Sequence, residues 1–189
     1  VLTSMIISYF VGTTPELLQF FFTGVMKWIV IFAPLVAVFA ISVVLAQEGL
    51  AKGVYQVCLH GFAALMGLSF AVIFAVYTML SIFNAFMGAA VLFGVMSFYG
   101  YFTKRSLDSM GQFMFIGLIA IIIASLINIF IGSTIMQMVI SAIAIIVFLG
   151  LTAYDTQKIR EDLMDSSDHV TEIYGAMTLY LDFINIFLN

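Results

Sequence analysis

Charge is what this sequence has least of. Lys, Arg, Asp and Glu make up 8% of its 189 residues, against roughly 25% in soluble domains. A soluble globule of this size could not be given a polar surface from so few charged side chains. Cysteine is nearly absent too: Cys58 alone excludes an internal disulfide and a multi-cysteine metal site. The two histidines form no HExxH, and Gly-x-Ser-x-Gly does not occur. Metalloprotease and serine-hydrolase chemistry of those kinds is therefore excluded, and the expectation is that the chain is not an enzyme. No stretch alternates with period two as a barrel strand would. The net charge of −4 comes mostly from one acidic run, so nucleic acid is not a partner. What remains is apolar: 64% hydrophobic residues with 20 Phe and 12 Met, and a mean hydropathy of +1.22. These numbers describe a polytopic membrane protein whose first partner is the lipid bilayer.

Seven apolar segments follow one another: up to Val11, then Val25–Ala46, Val54–Tyr77, Ser81–Phe102, Gly111–Gly132, Ile135–Asp155 and Tyr174–Asn189. A helix needs about 20 apolar residues to cross a bilayer, so Val1–Val11 reads as the end of a first span in a chain trimmed at its N-terminus, and the last segment is a little short as well. No charge lies between Asp108 and Asp155; that stretch suits two spans, with Gly132-Ser133 as the turn. The fold class is thus an all-α membrane protein, a seven-helix bundle in one transmembrane domain, 1–189. Lys52, Lys104-Arg105, Lys158 and Arg160 fall in alternate connections. The positive-inside rule then places the N-terminus in the cytoplasm and the C-terminus outside. Trp28, Tyr77, Tyr99, Tyr101, Tyr154 and Tyr174 sit near span ends, as interfacial aromatics do. Lys27 beside Trp28 reads as a snorkelling anchor. Pro34 inside the second segment predicts a kink and a freed backbone carbonyl.

Asp182 is the residue that asks for chemistry. It lies about 15 Å along a helix from Glu172, the last charge before it, near mid-depth if Tyr174–Asn189 spans. A charge there costs roughly 2.5–3.5 kcal/mol on insertion scales. Thr171, Gly175, Thr178, Asp182, Asn185 and Asn189 recur at helical spacing on one face, opposite Met177, Leu179, Leu181, Phe183, Ile184, Ile186 and Leu188. Such a stripe either packs against other helices through Thr and Asn hydrogen bonds or lines a wet path. Thr152 and Asp155 share a face of the sixth segment. Asp155 is either an ordinary interface carboxylate or the partner of Asp182. Two carboxylates in contact cannot both ionise cheaply, and such a pair holds a shared proton and titrates as a unit. Rise arithmetic puts Asp182 roughly 10 Å deeper than Asp155, so a cavity drawing the cytoplasm inward is expected between them. The polar linker Thr156–Glu172 holds Glu161, Asp162, Asp165, Asp168 and His169. It is either a solvated loop or a cation-attracting vestibule. Gln56, His60, Ala64, Gly67 and Ala71 share one narrow face of the third segment and predict close helix packing.

Three stretches carry a resemblance: Phe93–Leu107 (FGVMSFYGYFTKRSL), Gly150–Ile159 (GLTAYDTQKI) and Tyr174–Leu188 (YGAMTLYLDFINIFL). Together they resemble the Bax-inhibitor (transmembrane Bax inhibitor motif) family, most closely its bacterial inner-membrane members. The resemblance implies a seven-helix fold with the last helix central and a pH-sensitive calcium leak. It also implies partners that are membrane proteins, such as a protease, or a restraint of cell death. By motif match, Asp155 and Asp182 correspond to the paired aspartates assigned to proton sensing. Some members carry an acidic and a basic residue in the second span; here Val25–Ala46 has only Lys27. The expectation is a leak pathway for calcium or other cations with Asp155 and Asp182 as its proton sensor. Thr152, Gly175, Thr178 and Asn185 would line the path. Calcium takes six to eight oxygens, so the two aspartates would hold it weakly and transiently, with no resident cofactor. A regulatory membrane protein that transports nothing, docking through Ala85/Ala89 or Ala120/Ala124, is the alternative; an intramembrane aspartyl protease is the third reading.

Overall fold

The computed structural model describes residues 1–45, 52–165 and 169–189. Ala46 of the second expected span and Asp168 of the acidic run lie outside the described residues. Everything regular among the described residues is helical: α1 (Leu2–Thr13), α2 (Pro15–Phe22), α3 (Met26–Leu45), α4 (Lys52–Val76), α5 (Met79–Phe102), α6 (Asp108–Ile131), α7 (Thr134–Asp165) and α8 (His169–Leu188). Four of these, α4 to α7, are long and apolar enough to cross a membrane. The pair Pro15–Phe22 and Met26–Pro34, bent by 84°, would make a fifth crossing if taken as one broken span. The helix α1 has 12 residues, and α8 carries Glu172, Asp182 and Asn185.

The chain forms two compact units, Val1–Asn84 and Ala85–Asn189. In the first, α1 lies against α4 through its small residues. The Ser4 hydroxyl donates to the Ala63 carbonyl at 2.7 Å, and a Cβ added to Gly67 would come within 2.5 Å of the Ser4 carbonyl oxygen. One turn further on, Gly12 meets the backbone of Ala71 in the same way. Close packing at Gly67 and Ala71 is the reading the small-residue stripe on α4 favoured; Gln56 and His60, on the same stripe, are exposed, and His60 Nδ1 contacts the Gln56 carbonyl of its own helix. The unexpected element is α2. Pro15 stands in its first turn, where a missing N–H costs nothing, and Gly24 at φ 56° supplies the left-handed residue that turns the chain into α3.

Pro34 has the consequence read from the sequence. A proline cannot donate to the carbonyl four residues back, so Val30 is left with a free acceptor. The Ser69 hydroxyl of α4 donates to it at 2.6 Å. Ser69 also approaches the carbonyl of Leu65 at 3.2 Å, but one hydroxyl hydrogen serves one acceptor, and the shorter contact takes it.

The second unit is built on α7. The Gly132 residue at φ 68° ends α6, its N–H donating to the Asn128 carbonyl at 2.7 Å. The buried Asn128 side chain accepts from the Ser133 N–H at 3.2 Å and donates to Gln137 at 3.2 Å. This is the turn expected at Gly132-Ser133. Glycines then let the helices close: Gly111 under the Tyr154 ring, Gly117 against Val147, Gly150 against Met114, and Gly100 of α5 on the backbone of Ala153. At the other face of α7, Gly175 of α8 lies on Ile159. Phe183 of α8 packs edge-on between Phe86 and Phe93 of α5, with ring centroids 5.4 and 5.6 Å away.

One expectation is corrected here. The described part of the polar stretch after Asp155 is helical, since α7 runs through Asp165 and α8 begins at His169. Its charges are helix-compatible: Lys158 and Asp162 pair at 3.1 Å in i,i+4 register. On the faces of α8 away from the polar stripe, Met177, Phe183, Ile184 and Ile186 are buried as well.

Ser69→Ala is expected to cost about 1 kcal/mol by leaving the Val30 carbonyl unpaired. In a Pro34→Ala background, where residue 34 regains its N–H, the same change should cost much less. Thermal unfolding in detergent of the four variants of this cycle measures the difference.

Candidate functional site: an acid pair between the last two helices

Register decides which residues meet. The helix α7 continues ten residues past Asp155, to Asp165, and α8 needs thirteen residues from His169 to reach Asp182. The two run side by side with Gly175 level with Ile159. Seven residues further along α8, Asp182 comes level with Thr152. By the same register Asp155 lies level with Leu179, three residues or about 4.5 Å along the axis from Asp182, well short of the roughly 10 Å expected from the sequence. The antiparallel register of α7 and α8 brings the two side chains within reach of each other.

The carboxyl groups of Asp155 and Asp182 are in hydrogen-bonding contact, and the Thr152 hydroxyl also reaches Asp182. Thr152 is fully enclosed, at 0% exposure, and Asp182 is 5% exposed; Asp155 is half-buried. The Oδ2 atom of Asp182 is buried and has no hydrogen-bond partner among the described residues. Neither carboxyl group has a Lys, Arg or His partner there: Lys158 pairs with Asp162, and Arg160 contacts Glu161 at 3.5 Å. No third Asp, Glu, His or Cys joins them among the described residues to make a metal-binding group.

Donor arithmetic shows what this arrangement can do. Two ionised carboxylates are acceptors only, so a hydrogen bond between them requires a proton on one of them. Thr152 Oγ1 stands 2.7 Å from the Phe148 carbonyl. With Asp182 protonated, that hydroxyl can donate to Phe148 and accept from Asp182. With Asp182 ionised, the hydroxyl hydrogen is better spent on the carboxylate, because a charge-assisted hydrogen bond is the stronger one. Thr156, one turn on, donates to the Thr152 carbonyl at 2.7 Å. The other residues expected along a path have different surroundings. Gly175 is covered by Ile159, and Asn185 donates back to the Leu181 carbonyl at 2.8 Å. Thr178 is half-buried one turn before Asp182.

The residues missed from the sequence are Gln157 and Arg160. Gln157 is buried, and its amide grips the α5–α6 connection at two points. Its Oε1 accepts the Leu107 N–H at 2.8 Å, and its Nε2 donates to the Arg105 carbonyl at 2.9 Å. Arg160 donates to the Tyr101 carbonyl in the last turn of α5 and lies over the Tyr101 ring, 5.9 Å from its centroid. A cation at a helix C-terminus satisfies orphan carbonyls and complements the dipole. Taking 156–172 for a loop hid both roles, although Gln157 is an uncharged amide inside a charged run.

A multi-pass helical membrane protein with a buried acid pair between its last two helices is the class this geometry defines. The family model described as "Inhibitor of apoptosis-promoting Bax1" matches residues 1–189, and the chain belongs to that family, the Bax inhibitor-1 family. It is 39% identical over 194 residues to the inner membrane protein YbhL of Escherichia coli (strain K12), covering 99% of this chain and 82% of that protein. It is 45% identical over 137 residues to the uncharacterized protein RP147 of Rickettsia prowazekii, covering 70% of this chain and 58% of the relative. An uncharacterized protein of Deinococcus radiodurans is 38% identical over 160 residues, covering 82% of this chain and 68% of the relative.

Gln157→Leu removes both grips and leaves the Leu107 N–H and the Arg105 carbonyl without their partner, at roughly 1–3 kcal/mol for each buried group. Trypsin should then cut after Lys104 or Arg105 several-fold faster than in the wild type in membrane vesicles. Unchanged cleavage would mean that Gln157 does not hold the connection.

Proposed function

We propose that this protein is a pH-sensitive leak pathway for calcium or other cations in the bacterial inner membrane, in which Asp155 and Asp182 share a proton and act as the sensor. On this reading it is a seven-span bundle with α8 central, its N-terminus in the cytoplasm and its C-terminus outside, and it is not an enzyme. The observation that carries the reading is the contact of two carboxyl groups from α7 and α8, one of them almost wholly buried and neither matched by a cation among the described residues. While the proton is present, it bonds one helix to the other. When pH rises and the proton leaves, two like charges replace that bond. Two unit charges 4 Å apart repel by about 4 kcal/mol at an effective dielectric constant of 20, comparable to the total a helix pair gains from a few good contacts.

The helix α7 transmits what happens at Asp155, because Gln157 and Arg160 tie its next turns to the α5–α6 connection. Calcium fits as cargo rather than as a resident ion. Asp155, Asp182 and the Thr152 hydroxyl supply part of a six- to eight-oxygen shell, and water would supply the rest. Glu161, Asp162 and Asp165 on the last turns of α7 raise the local cation concentration.

The alternative is a regulator of other membrane proteins, such as a protease, that transports nothing. Ala120 on α6 is exposed and Ala124 half-buried, so that face can receive a partner helix; Ala89 is buried, and the Ala85/Ala89 face is not free in the same way. Co-purification with a partner alongside no ion flux would favour this second reading.

Proteoliposomes loaded with a calcium indicator separate the two. Wild-type flux should depend on external and internal pH. Asp182→Asn, which keeps a hydrogen bond to Asp155 without a titrating proton, should hold the flux at its low-pH value across the range. A pH dependence unchanged by Asp182→Asn would end the proposal.

A further inference from the structure

The helix α5 carries a polar atom that its own helix does not use. In the second unit the hydroxyls of Thr152 and Thr156 and the amide of Asn185 turn back to the carbonyl four residues earlier. The Ser97 hydroxyl oxygen is buried and makes no such bond; like Asp182 Oδ2, it has no partner among the described residues. A buried hydroxyl or carboxyl oxygen without a partner costs roughly 1–3 kcal/mol, and two in one neighbourhood call for a common explanation.

Position places them in one neighbourhood. Phe93, Ser97 and Gly100 stand at i, i+4 and i+7, on one face of α5. Phe93 packs on Phe183, the residue after Asp182, with ring centroids 5.6 Å apart. Gly100 lies on the backbone of Ala153, the residue after Thr152. That face of α5 therefore runs from α8 beside Asp182 to α7 beside Thr152, and Ser97 is the polar residue between the two contacts. On α7 and α8, the ionisable groups within three residues of Ala153 and Phe183 are Tyr154, Asp155, Tyr180 and Asp182. The α5 stretch from Phe93 to Gly100 contains only Tyr99.

We infer that Ser97 is the third wall of the acid-pair site and holds a water molecule between its hydroxyl and Asp182 Oδ2. A buried water typically makes about three hydrogen bonds to groups left unsatisfied by the protein, and it bridges polar atoms that do not touch. The hydroxyl can turn to donate or accept, so the water fits either charge state of Asp182. Its role rests on the leak reading: this water is where a proton, or an entering cation's hydration shell, reaches the free oxygen of Asp182. The bridge itself does not depend on that reading.

Infrared difference spectroscopy of the full chain in lipid nanodiscs tests it. The Asp182 carboxyl or carboxylate band is assigned by its loss in Asp182→Asn. Ser97→Ala should move that band to higher wavenumber, as a C–O group does on losing a hydrogen bond. Ser97→Thr, which keeps the hydroxyl, should restore it, and Ser97→Cys should move it the same way by less. An Asp182 band unmoved by Ser97→Ala overturns the bridge, whether or not the band titrates. A band that Ser97→Ala moves but that does not change between acid and alkaline pH upholds the bridge and removes the proton sensor instead.

Discussion

Two acids pressed together inside a protein are tolerable only through a proton, a solvent contact or an ion, and this requirement organises the second half of the chain. Asp155 and Asp182 meet because α7 does not stop at the apolar boundary. Its last ten residues carry charges, form the Lys158–Asp162 pair, and set the point from which α8 returns. Had α7 ended at Asp155, the return helix would have carried Asp182 well past it. The register between α7 and α8 makes the pair.

Small residues make the surrounding packing possible, and they do so pairwise. Gly100 admits Ala153, Gly111 admits the Tyr154 ring, Gly150 admits Met114 and Gly175 admits Ile159. These contacts bracket Thr152 and Asp155 on both sides, so the acid pair sits among close helix contacts. The same principle works in the first unit without any acid, where Gly12 and Gly67 bring α1 against α4. In both units, some polar atoms that close approach would strand are matched by groups on another helix. Ser69 answers the carbonyl freed by Pro34, and Gln157 answers the two ends of the α5–α6 connection.

Much of this was visible beforehand. The long spans α4 to α7 follow from unbroken apolar runs, and the turn at Gly132 follows from a Gly-Ser break in a run too long for one crossing. Pro34 announces its free carbonyl by its side-chain chemistry alone. The candidate pair was legible because a carboxylate in an apolar segment is costly, and Asp182 has few possible companions. The helical character of 156–165 was not legible, because a dense run of charges reads equally as a solvated loop or as a helix projecting beyond the apolar layer. The small helix α2 was missed for a related reason: Thr14, Pro15 and Gly24 look like loop residues until Pro15 is seen at a helix start.

Composition by itself settled that this chain spans a membrane as helices, since 8% charged residues leave no other way to satisfy its surface and its backbone. It also singled out Asp182, because the cost of burying a charge belongs to the residue and its apolar neighbours in sequence. Only the tertiary structure decided what Asp182 touches. Which oxygen of Asp182 has partners and which stays free depends on helix register and rotation. Those quantities come from side-chain packing summed over several helices, and no single segment contains them.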